Sequence, residues 1–520
     1  MMTAVVKYVL TPIMVATLLL SIIMAMPLED DKILRFDVKI SGKLNSKDFM
    51  KVYIIPPNGN VSITVDVPAL DVRNVSLAEN NPINYSLNHR EVIINDIRRK
   101  DEFGKISYWN ETLGWFIADF RGARLLYFWT IPELAYVTEA IFHVKIHYSQ
   151  YSNITIDTIT YRILKRAVSN PSDITKFYNI KYRKPRVLIV TKDLFGATLL
   201  KVALSGKWDV RAMTIYGNAE EIRNIVWKYY NIWPFDMLIL HGDYNEIPPF
   251  IIKTVLGKTP YTDWPYAITS SNIPQFLVTR VPLHYLNISN YLIIRQRIEF
   301  GDISLTNKTL YTTGLLFPPL DGLDFYIYGE GLSPLTIRRR DKIVLVAQDY
   351  DYNCSSGEYR LIFDNLTRNM LRNELKKNYS TLFFNLHGSS NAMYKLYLNK
   401  SNDIWGSYTI YYQPIIERKW LTRLSFTSKR AILFACDTLP EFGIDLLSNA
   451  RVEFVIGFSA PVEESARIIV INYLNMVNDG LDDYTAIFTA YLLMPDTINI
   501  TYNKLILHLM GIPSIDISLT

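Results

Sequence analysis

Two short apolar runs, each ending at a reactive side chain, constrain the fold of this chain more than any other feature. Residues 382–386 (LFFNL) are followed by His387, and residues 431–435 (AILFA) are followed by Cys436. Apolar runs of this length, bounded by turn residues, are typical of strands buried on both faces of a sheet. In open α/β sheets, functional side chains collect just beyond the carboxyl ends of such strands. The sequence therefore predicts an α/β fold with His387 and Cys436 at one edge of its sheet.

The same two residues are the parts of a nucleophile and its general base. A cysteine thiol is activated when an imidazole within hydrogen-bond reach takes its proton. His387 lies 49 residues before Cys436, close to the separation of about 50 residues that is known in caspases. We interpret the pair as the catalytic centre of a cysteine peptidase.

Other interpretations of these positions stay open at the level of the sequence. His241 also follows an apolar run and precedes a glycine, so it competes with His387 for the role of base. Cys436 is also compatible with a thiol in the core, where cysteine is common. The chain has only two cysteines, and in an exported protein a disulfide between Cys354 and Cys436 would block the nucleophile.

Several further segments, in a specific order, resemble the gingipain branch of the caspase–gingipain–legumain group of cysteine peptidases. That branch has a His-Gly-Ser segment after one strand and an Ala-Cys pair after the next, as residues 387–389 and 435–436 have here. The other matching segments are residues 187–190, 235–243, 247–249, 262–266, 278–282 and 509–514. The resemblance spans roughly residues 185 to 515.

Three positions depart from the pattern of that branch. Leu386 stands where gingipains usually have glycine, Asp437 follows the cysteine where a neutral residue is common, and Ile512 replaces the usual aspartate. An acidic neighbour raises the pKa of a thiol unless its side chain points away. A catalytically silent relative, serving as a cell-surface glycoprotein or binding module, is therefore the alternative to a peptidase.

The resemblance implies acyl transfer without a metal or an organic cofactor. Cys436 would attack the scissile carbonyl, while His387 would hold the thiolate and later protonate the leaving amine. The backbone N–H groups of Gly388 and Cys436 would form the oxyanion hole. An acidic residue near the end of an earlier strand helps to orient the histidine in gingipains, and Asp349 is the residue here that matches this role.

The resemblance also indicates where a substrate pocket lies. In gingipains the loop after the strand that precedes the histidine strand carries an acidic residue that pairs with a basic substrate side chain. Here that loop covers residues 353–360. Glu358 facing the pocket would select Lys or Arg, whereas Arg360 facing it would select Asp or Glu. An apolar pocket with both charges in solvent is a third interpretation, and we favour Glu358 with a basic substrate residue.

Hydrophobic patterning divides the chain into six segments. Alternation at period two, as in residues 34–40, predicts an all-β, sandwich-like N-terminal domain. If the protein is a peptidase, this domain is a pro-domain or a structural module. Apolar runs alternating with helical patterns predict a sheet flanked by helices in two subdomains, and the resemblance implies that this sheet is caspase/gingipain-like. The predicted segments are a signal peptide or membrane anchor (1–31), the β domain (32–165), a linker (166–184), a first α/β subdomain (185–300), a connector (301–340) and a second α/β subdomain with the histidine and cysteine (341–520).

The first thirty residues and the sequons predict export. Lys7 precedes an apolar stretch over residues 8–28, and three acidic residues follow it, which favours translocation of the remainder of the chain. The stretch fits a signal peptide and an uncleaved anchor equally. Asn-x-Ser/Thr sequons mark potential glycosylation sites in secreted proteins. They occur at Asn60, Asn74, Asn84, Asn110, Asn153, Asn287, Asn307, Asn353, Asn365, Asn378, Asn399 and Asn499.

Charge gives little indication of a nucleic-acid partner. The formal net charge is +5 for 520 residues, and no basic stripe with interleaved aromatic residues occurs. The expected partners are protein or peptide substrates, together with a membrane if the N-terminal segment is retained.

Overall fold

The structure is a computed structural model, and it describes most of the chain. The described residues are 31–40, 50–66, 76–78, 85–88, 91–94, 111–130, 140–149, 154–253, 260–268, 273–313, 343–347, 350–352, 359–361, 367–400, 408–449, 451–460, 467–493 and 506–515. The predicted signal segment lies outside them, apart from its last residue. Across these ranges, no helix is long and apolar enough to cross a membrane.

The N-terminal part consists mainly of antiparallel strands. They are β1 (Asp31–Ile40), β2 (Met50–Ile55), β3 (Asn60–Asp66), β4 (Ser76–Ala78), β5 (Tyr85–Asn88), β6 (Glu91–Ile94), β7 (Glu111–Phe120), β8 (Ala123–Thr130), β9 (Ala140–Ser149), β10 (Thr155–Asp157) and β11 (Asn179–Lys181). One sheet has the order β1-β9-β3 and another the order β2-β8-β7-β4. Val38, Ile55, Phe128 and Phe142 from both sheets meet in one apolar cluster. Alternation at period two places these side chains on one face of each strand.

The remaining strands include a ten-stranded sheet. They are β12 (Arg186–Thr191), β13 (Asp209–Thr214), β14 (Met237–His241), β15 (Phe250–Lys253), β16 (Tyr261–Thr262), β17 (Leu277–Val281), β18 (Thr306–Thr313), β19 (Ile343–Ala347), β20 (Tyr350–Tyr352), β21 (Tyr359–Leu361), β22 (Tyr379–Asn385), β23 (His387–Gly388), β24 (Ala392–Lys400), β25 (Tyr408–Glu417), β26 (Ser428–Phe434), β27 (Val452–Phe458) and β28 (Leu507–Gly511). The order in the ten-stranded sheet is β13-β12-β14-β17-β28-β27-β26-β22-β18-β19.

Helices accompany this sheet, so the fold is α/β. They are α1 (Thr158–Ala167), α2 (Ile174–Phe177), α3 (Leu194–Ser205), α4 (Ala219–Ile232), α5 (Tyr285–Glu299), α6 (Arg368–Leu375), α7 (Arg418–Leu421), α8 (Glu441–Ser448), α9 (Arg467–Asn478) and α10 (Asp483–Leu492). Local sequence explains where α4 begins. In α4, the Asn218 side chain accepts from the Glu221 N–H while the Glu221 carboxylate accepts from the Asn218 N–H, which is a capping box.

The strand directions reverse in the middle of the ten-stranded sheet. β28 pairs parallel with β17 but antiparallel with β27. The strands β12, β14 and β17 are mutually parallel, as are β22, β26 and β27. The two halves therefore run in opposite directions, and their carboxyl ends point to opposite edges of the sheet.

One strand of this sheet comes from the segment predicted as a connector. β18 pairs in parallel with β19 on one side and β22 on the other. Its sequence, TNKTLYTT, has no apolar run. Threonine suits a strand by its branched side chain rather than by its hydrophobicity, so apolar patterning does not reveal this strand.

The N-terminal part shares a core with the α/β part. Val52 and Phe120 belong to the same buried cluster as Ile163 and Phe488. The rings of Phe120 and Phe488 lie 5.8 Å apart. The apolar contact between the two parts is therefore continuous.

A buried charge cluster also joins the two parts. Arg121, in the turn between β7 and β8, forms an ion pair with Asp236 just before β14, and both side chains are almost fully buried. Arg121 Nη1 donates to the Tyr484 hydroxyl at 2.9 Å. Arg183 Nη1 lies 2.6 Å from Asp236 Oδ2, and Arg183 Nη2 lies 2.8 Å from Asp157. Buried charges need such pairing to offset their desolvation.

Arg183 also shows that the predicted linker is packed against the rest of the protein. The segment 166–184 contains α2 and β11, and β11 pairs with β10 of the N-terminal part. Arg183 from this segment binds carboxylates on both sides of the interface. The segment predicted as a linker therefore supplies a structural contact between the two parts.

Candidate active site

Neighbouring parallel strands bring His387 and Cys436 to the same edge of the sheet. β22 and β26 pair with Asn385 opposite Phe434. His387 lies two residues beyond Asn385, and Cys436 lies two residues beyond Phe434. The two residues therefore occupy equivalent positions beyond the paired ends of their strands. The Leu386 N–H donates to the Phe434 carbonyl at 3.3 Å, which continues the contact between the two strands.

In both strands, the buried residues end immediately before the reactive residue. Residues 381–386 and 430–435 are buried, whereas His387 and Cys436 are partly exposed. Solvent therefore reaches part of both reactive residues, while the preceding apolar residues anchor both strands in the core. The side chain of Leu386 is only 3% exposed, so the core accommodates this departure from the gingipain pattern.

Gly388 lies directly against the backbone of Cys436. A Cβ atom at position 388 would lie 2.8 Å from the Cys436 nitrogen and 2.8 Å from the Ala435 Cβ, and closer still to the Cys436 carbonyl oxygen. No side chain fits in that space, so only glycine permits the approach. The two segments predicted to supply the oxyanion hole are therefore in backbone contact.

The chain turns sharply after Cys436. Asp437 has a φ of 51°, a left-handed conformation that aspartate tolerates better than most residues. Its N–H donates to the Ala460 carbonyl at 3.3 Å, and the Leu439 N–H donates to the Phe458 carbonyl at 3.1 Å. These bonds attach the turn to the end of β27. The aspartate found where gingipains carry a neutral residue thus supports the turn.

His387 also begins β23, the first strand of a small antiparallel sheet with the order β23-β24-β25. In β23 and β24, His387 pairs with Tyr394. The Ser389 N–H donates to the Ala392 carbonyl at 2.9 Å, and the Ser389 Oγ lies 3.2 Å from the Tyr394 hydroxyl. The His387 ring packs edge-to-face on Tyr412 of β25, with centroids 5.6 Å apart and an interplanar angle of 89°.

His241, the alternative base, lies elsewhere. It ends β14, and β17, β28 and β27 lie between β14 and the strand of Cys436. Its Nδ1 is 2.9 Å from the Thr191 hydroxyl, and its Nε2 is 3.2 Å from the Leu283 carbonyl. Burial lowers the pKa of His241 despite the Leu283 contact. Since the two halves of the sheet run in opposite directions, His241 and Cys436 are at opposite edges.

Of the remaining predicted site residues, the structure describes only Arg360. Asp349, Cys354 and Glu358 lie outside the described residues, so their roles stay predictions. Arg360 lies in β21, opposite Asp351, rather than in the loop where the sequence placed it. Within the described ranges, no cluster of three or more His, Cys, Asp or Glu side chains could hold a metal ion.

Neither Tyr394 nor Tyr412 is predictable as a neighbour of the histidine. The register between β24 and β25 depends on an irregularity between Met393 and Tyr394. No sequence pattern marks the position of such a bulge.

The fold and site together define an α/β protein with a thiol and an imidazole at the carboxyl ends of adjacent parallel strands. The structure is similar to the crystal structure of the Arg-specific cysteine proteinase gingipain R, with a TM-score of 0.46 and 13% identity, covering 64% of this chain and 77% of that one. It is also similar to the complex of the RgpB pro- and mature domains from Porphyromonas gingivalis, with a TM-score of 0.44 and 12% identity, covering 63% of this chain and 78% of that one. No family model and no curated protein matches the chain.

Proposed function

We propose that this protein is an exported cysteine endopeptidase that hydrolyses peptide bonds through Cys436 and His387. The observation that carries the proposal is the parallel register of β22 and β26, which gives the two residues equivalent positions beyond Asn385 and Phe434. A thiol and an imidazole at neighbouring strand ends can serve as the nucleophile and the general base of acyl transfer.

In the proposed reaction, His387 takes the proton of the Cys436 thiol. The sulfur then attacks the scissile carbonyl, and a tetrahedral intermediate forms with a negative charge on its oxygen. His387 returns the proton to the leaving amine, which gives a thioester with Cys436. Water, activated by the same imidazole, hydrolyses the thioester and regenerates the thiol.

The backbone contact at Gly388 supports the proposed oxyanion hole. N–H donors must be fixed before the reaction if they are to stabilise developing charge. The absence of a side chain at Gly388 lets its backbone lie against the Cys436 nitrogen. Donors from two strand ends thus belong to one rigid unit. Asp349 would orient the imidazole of His387.

Substrate selection would depend on residues 353–360, which run from the loop after β20 into β21. We favour Glu358 as the residue that pairs with a Lys or Arg side chain of the substrate. Arg360 would instead favour an acidic side chain. Matched fluorogenic peptides with Arg or Asp before the scissile bond, tested on Glu358→Ala and Arg360→Ala, separate these assignments. An unchanged preference in both variants would reject the pocket.

The N-terminal segment would direct export, and the sequons would carry glycans on the exported protein. The N-terminal β part would act as a structural module rather than as a removable pro-domain. Its shared core with the α/β part and the buried Arg121–Asp236 pair support this role.

Covalent labelling with a thiol-directed peptidyl inhibitor tests the catalytic proposal. Labelling and peptide cleavage should both disappear in Cys436→Ala. His387→Ala should lose activity by at least about a thousandfold, since members of a catalytic unit act together. His147→Ala is the matched control for an exposed histidine, and Cys354→Ala tests whether the second thiol contributes to the labelling. An unlabelled, inactive but folded wild-type protein would favour the catalytically silent alternative.

A further inference from the structure

The hairpin that follows His387 places an exposed aromatic ring against the imidazole. Tyr412 of β25 meets the His387 ring edge-to-face, yet 60% of Tyr412 remains exposed to solvent. Large aromatic side chains are normally buried for their hydrophobic gain. This tyrosine instead lies at the sheet edge beside the proposed base.

A β-bulge brings Tyr412 to the face of His387. Met393 pairs with Ile416, whereas Tyr394 pairs with Pro414, so β25 has one extra residue at this point. Side chains alternate between the two faces of a strand. The extra residue in β25 therefore reverses the faces of the β25 side chains from Pro414 to Tyr408, relative to their partners in β24. Without the bulge, Tyr412 would point away from His387. Bulges re-aim side chains in this way next to active sites.

A second tyrosine supports the first. The rings of Tyr394 and Tyr412 lie 6.3 Å apart at an interplanar angle of 83°. The Tyr394 hydroxyl lies 3.2 Å from the Ser389 Oγ, and Ser389 also caps the turn by accepting from the Ala392 N–H at 3.2 Å. The ring of Tyr412 is therefore held between the imidazole and a tyrosine that is tied to the histidine's own turn.

We propose that Tyr412 is a positioning residue for His387, an inference that rests on the proposed function. The ring of Tyr412 limits rotation of the imidazole and keeps its nitrogens directed for proton exchange with Cys436. Aromatic pairs of this geometry have a preferred orientation beyond simple burial. Tyr412 itself touches neither the substrate carbonyl nor the sulfur in this role.

Two readouts on the full chain separate positioning from substrate contact. The first is the steady-state kinetics of a fluorogenic peptide, resolved into kcat and KM. The second is the rate at which iodoacetamide alkylates Cys436 between about pH 5 and pH 9, which reports thiolate formation without substrate binding. The variants are Tyr412→Ala, Tyr412→Phe and, as an exposed tyrosine on a distant surface, Tyr216→Ala.

Positioning predicts that Tyr412→Ala lowers kcat about three- to tenfold with KM unchanged, as expected for loss of one aromatic contact. The alkylation rate near neutral pH should fall by a similar factor, and Tyr412→Phe should restore both. A rise in KM alone, or unchanged kinetics, would overturn the inference. If wild-type Cys436 neither cleaves peptides nor reacts faster than a free thiol, the proposed function fails, and this role of Tyr412 fails with it.

Discussion

His387 and Cys436 occupy equivalent positions on adjacent parallel strands, each two residues beyond a paired residue. Adjacent strands in a sheet are about 4.8 Å apart, so the two residues leave the sheet from neighbouring points. The backbone of Gly388, the residue after His387, lies against Cys436. The site therefore depends on the pairing of two core strands rather than on a long loop.

Replacing Gly388 with alanine should disable the site. The added methyl group would overlap the Cys436 backbone and push the two strand ends apart. We expect a loss of at least about a hundredfold in kcat/KM, with a destabilisation of about 1–3 kcal/mol that is typical of overpacking. The control is Gly206→Ala, since nothing lies within 4 Å of a Cβ at that position. Equal activity in the two variants would contradict the close approach described above.

Histidine replacements should separate a structural from a catalytic imidazole. His241→Ala removes two buried hydrogen bonds and leaves a cavity, so it should lower stability by about 2–4 kcal/mol. The fraction that stays folded should keep its normal reaction with a thiol-directed peptidyl inhibitor. His387→Ala should show the opposite behaviour, with nearly normal thermal stability and no reaction. If folded His241→Ala failed to react with the inhibitor, His241 would again be a candidate for the general base.

Much of the second half of the sheet could be predicted from the sequence. The apolar runs before His387 and Cys436 correspond to β22 and β26, and the α/β fold is confirmed. Strand direction could not be predicted, because the reversal depends on the pairing of β28 with β17 and β27. The sequence of a strand does not determine which other strands it pairs with. The contact between His387 and Tyr412 escaped prediction for the same reason.

The ion pair between Arg121 and Asp236 should be essential for stability. Arg121→Ala would leave a buried carboxylate without one of its charge partners, which costs about 3–5 kcal/mol. The exposed residue Arg166 on α1 provides the control, and its replacement by alanine should change little. Thermal unfolding of both variants checks this expectation. If Arg121→Ala melts at the wild-type temperature, the N-terminal part is not anchored through this pair.

Acid should weaken the same interface through Asp157. Burial alone would raise the pKa of this carboxyl, but the charges of Arg121 and Arg183 outweigh burial and lower it to about 2. A carboxyl with a depressed pKa contributes stability above its unfolded pKa of about 4 and loses that contribution as the pH falls toward 2. The contribution is about 2 kcal/mol. Chemical denaturation at pH values across this window should therefore show a smaller pH dependence in Asp157→Asn than in the wild type.

Glycan occupancy should differ among the sequons according to their surroundings. Asn60 on β3 and Asn287 on α5 are exposed, so a glycan there would extend into solvent. Asn378 is half-buried with a φ of 52°, and its Oδ1 accepts from the Thr427 N–H at 3.0 Å. A glycan on that amide would compete with the folded structure, because the amide is held against the β26 segment.

Glycopeptide mass spectrometry of protein secreted from a glycosylating host measures this difference. We expect glycans on Asn60 and Asn287 and an unmodified Asn378 in the folded fraction. Asn60→Gln and Asn287→Gln should each remove one glycan without changing stability by more than about 0.5 kcal/mol, as is usual for surface substitutions. Asn378→Gln should be destabilising, since the longer side chain loses the bond to Thr427 and tolerates the left-handed backbone less well. Secreted protein that lacks glycans at both exposed sites would contradict the proposal of an exported glycoprotein.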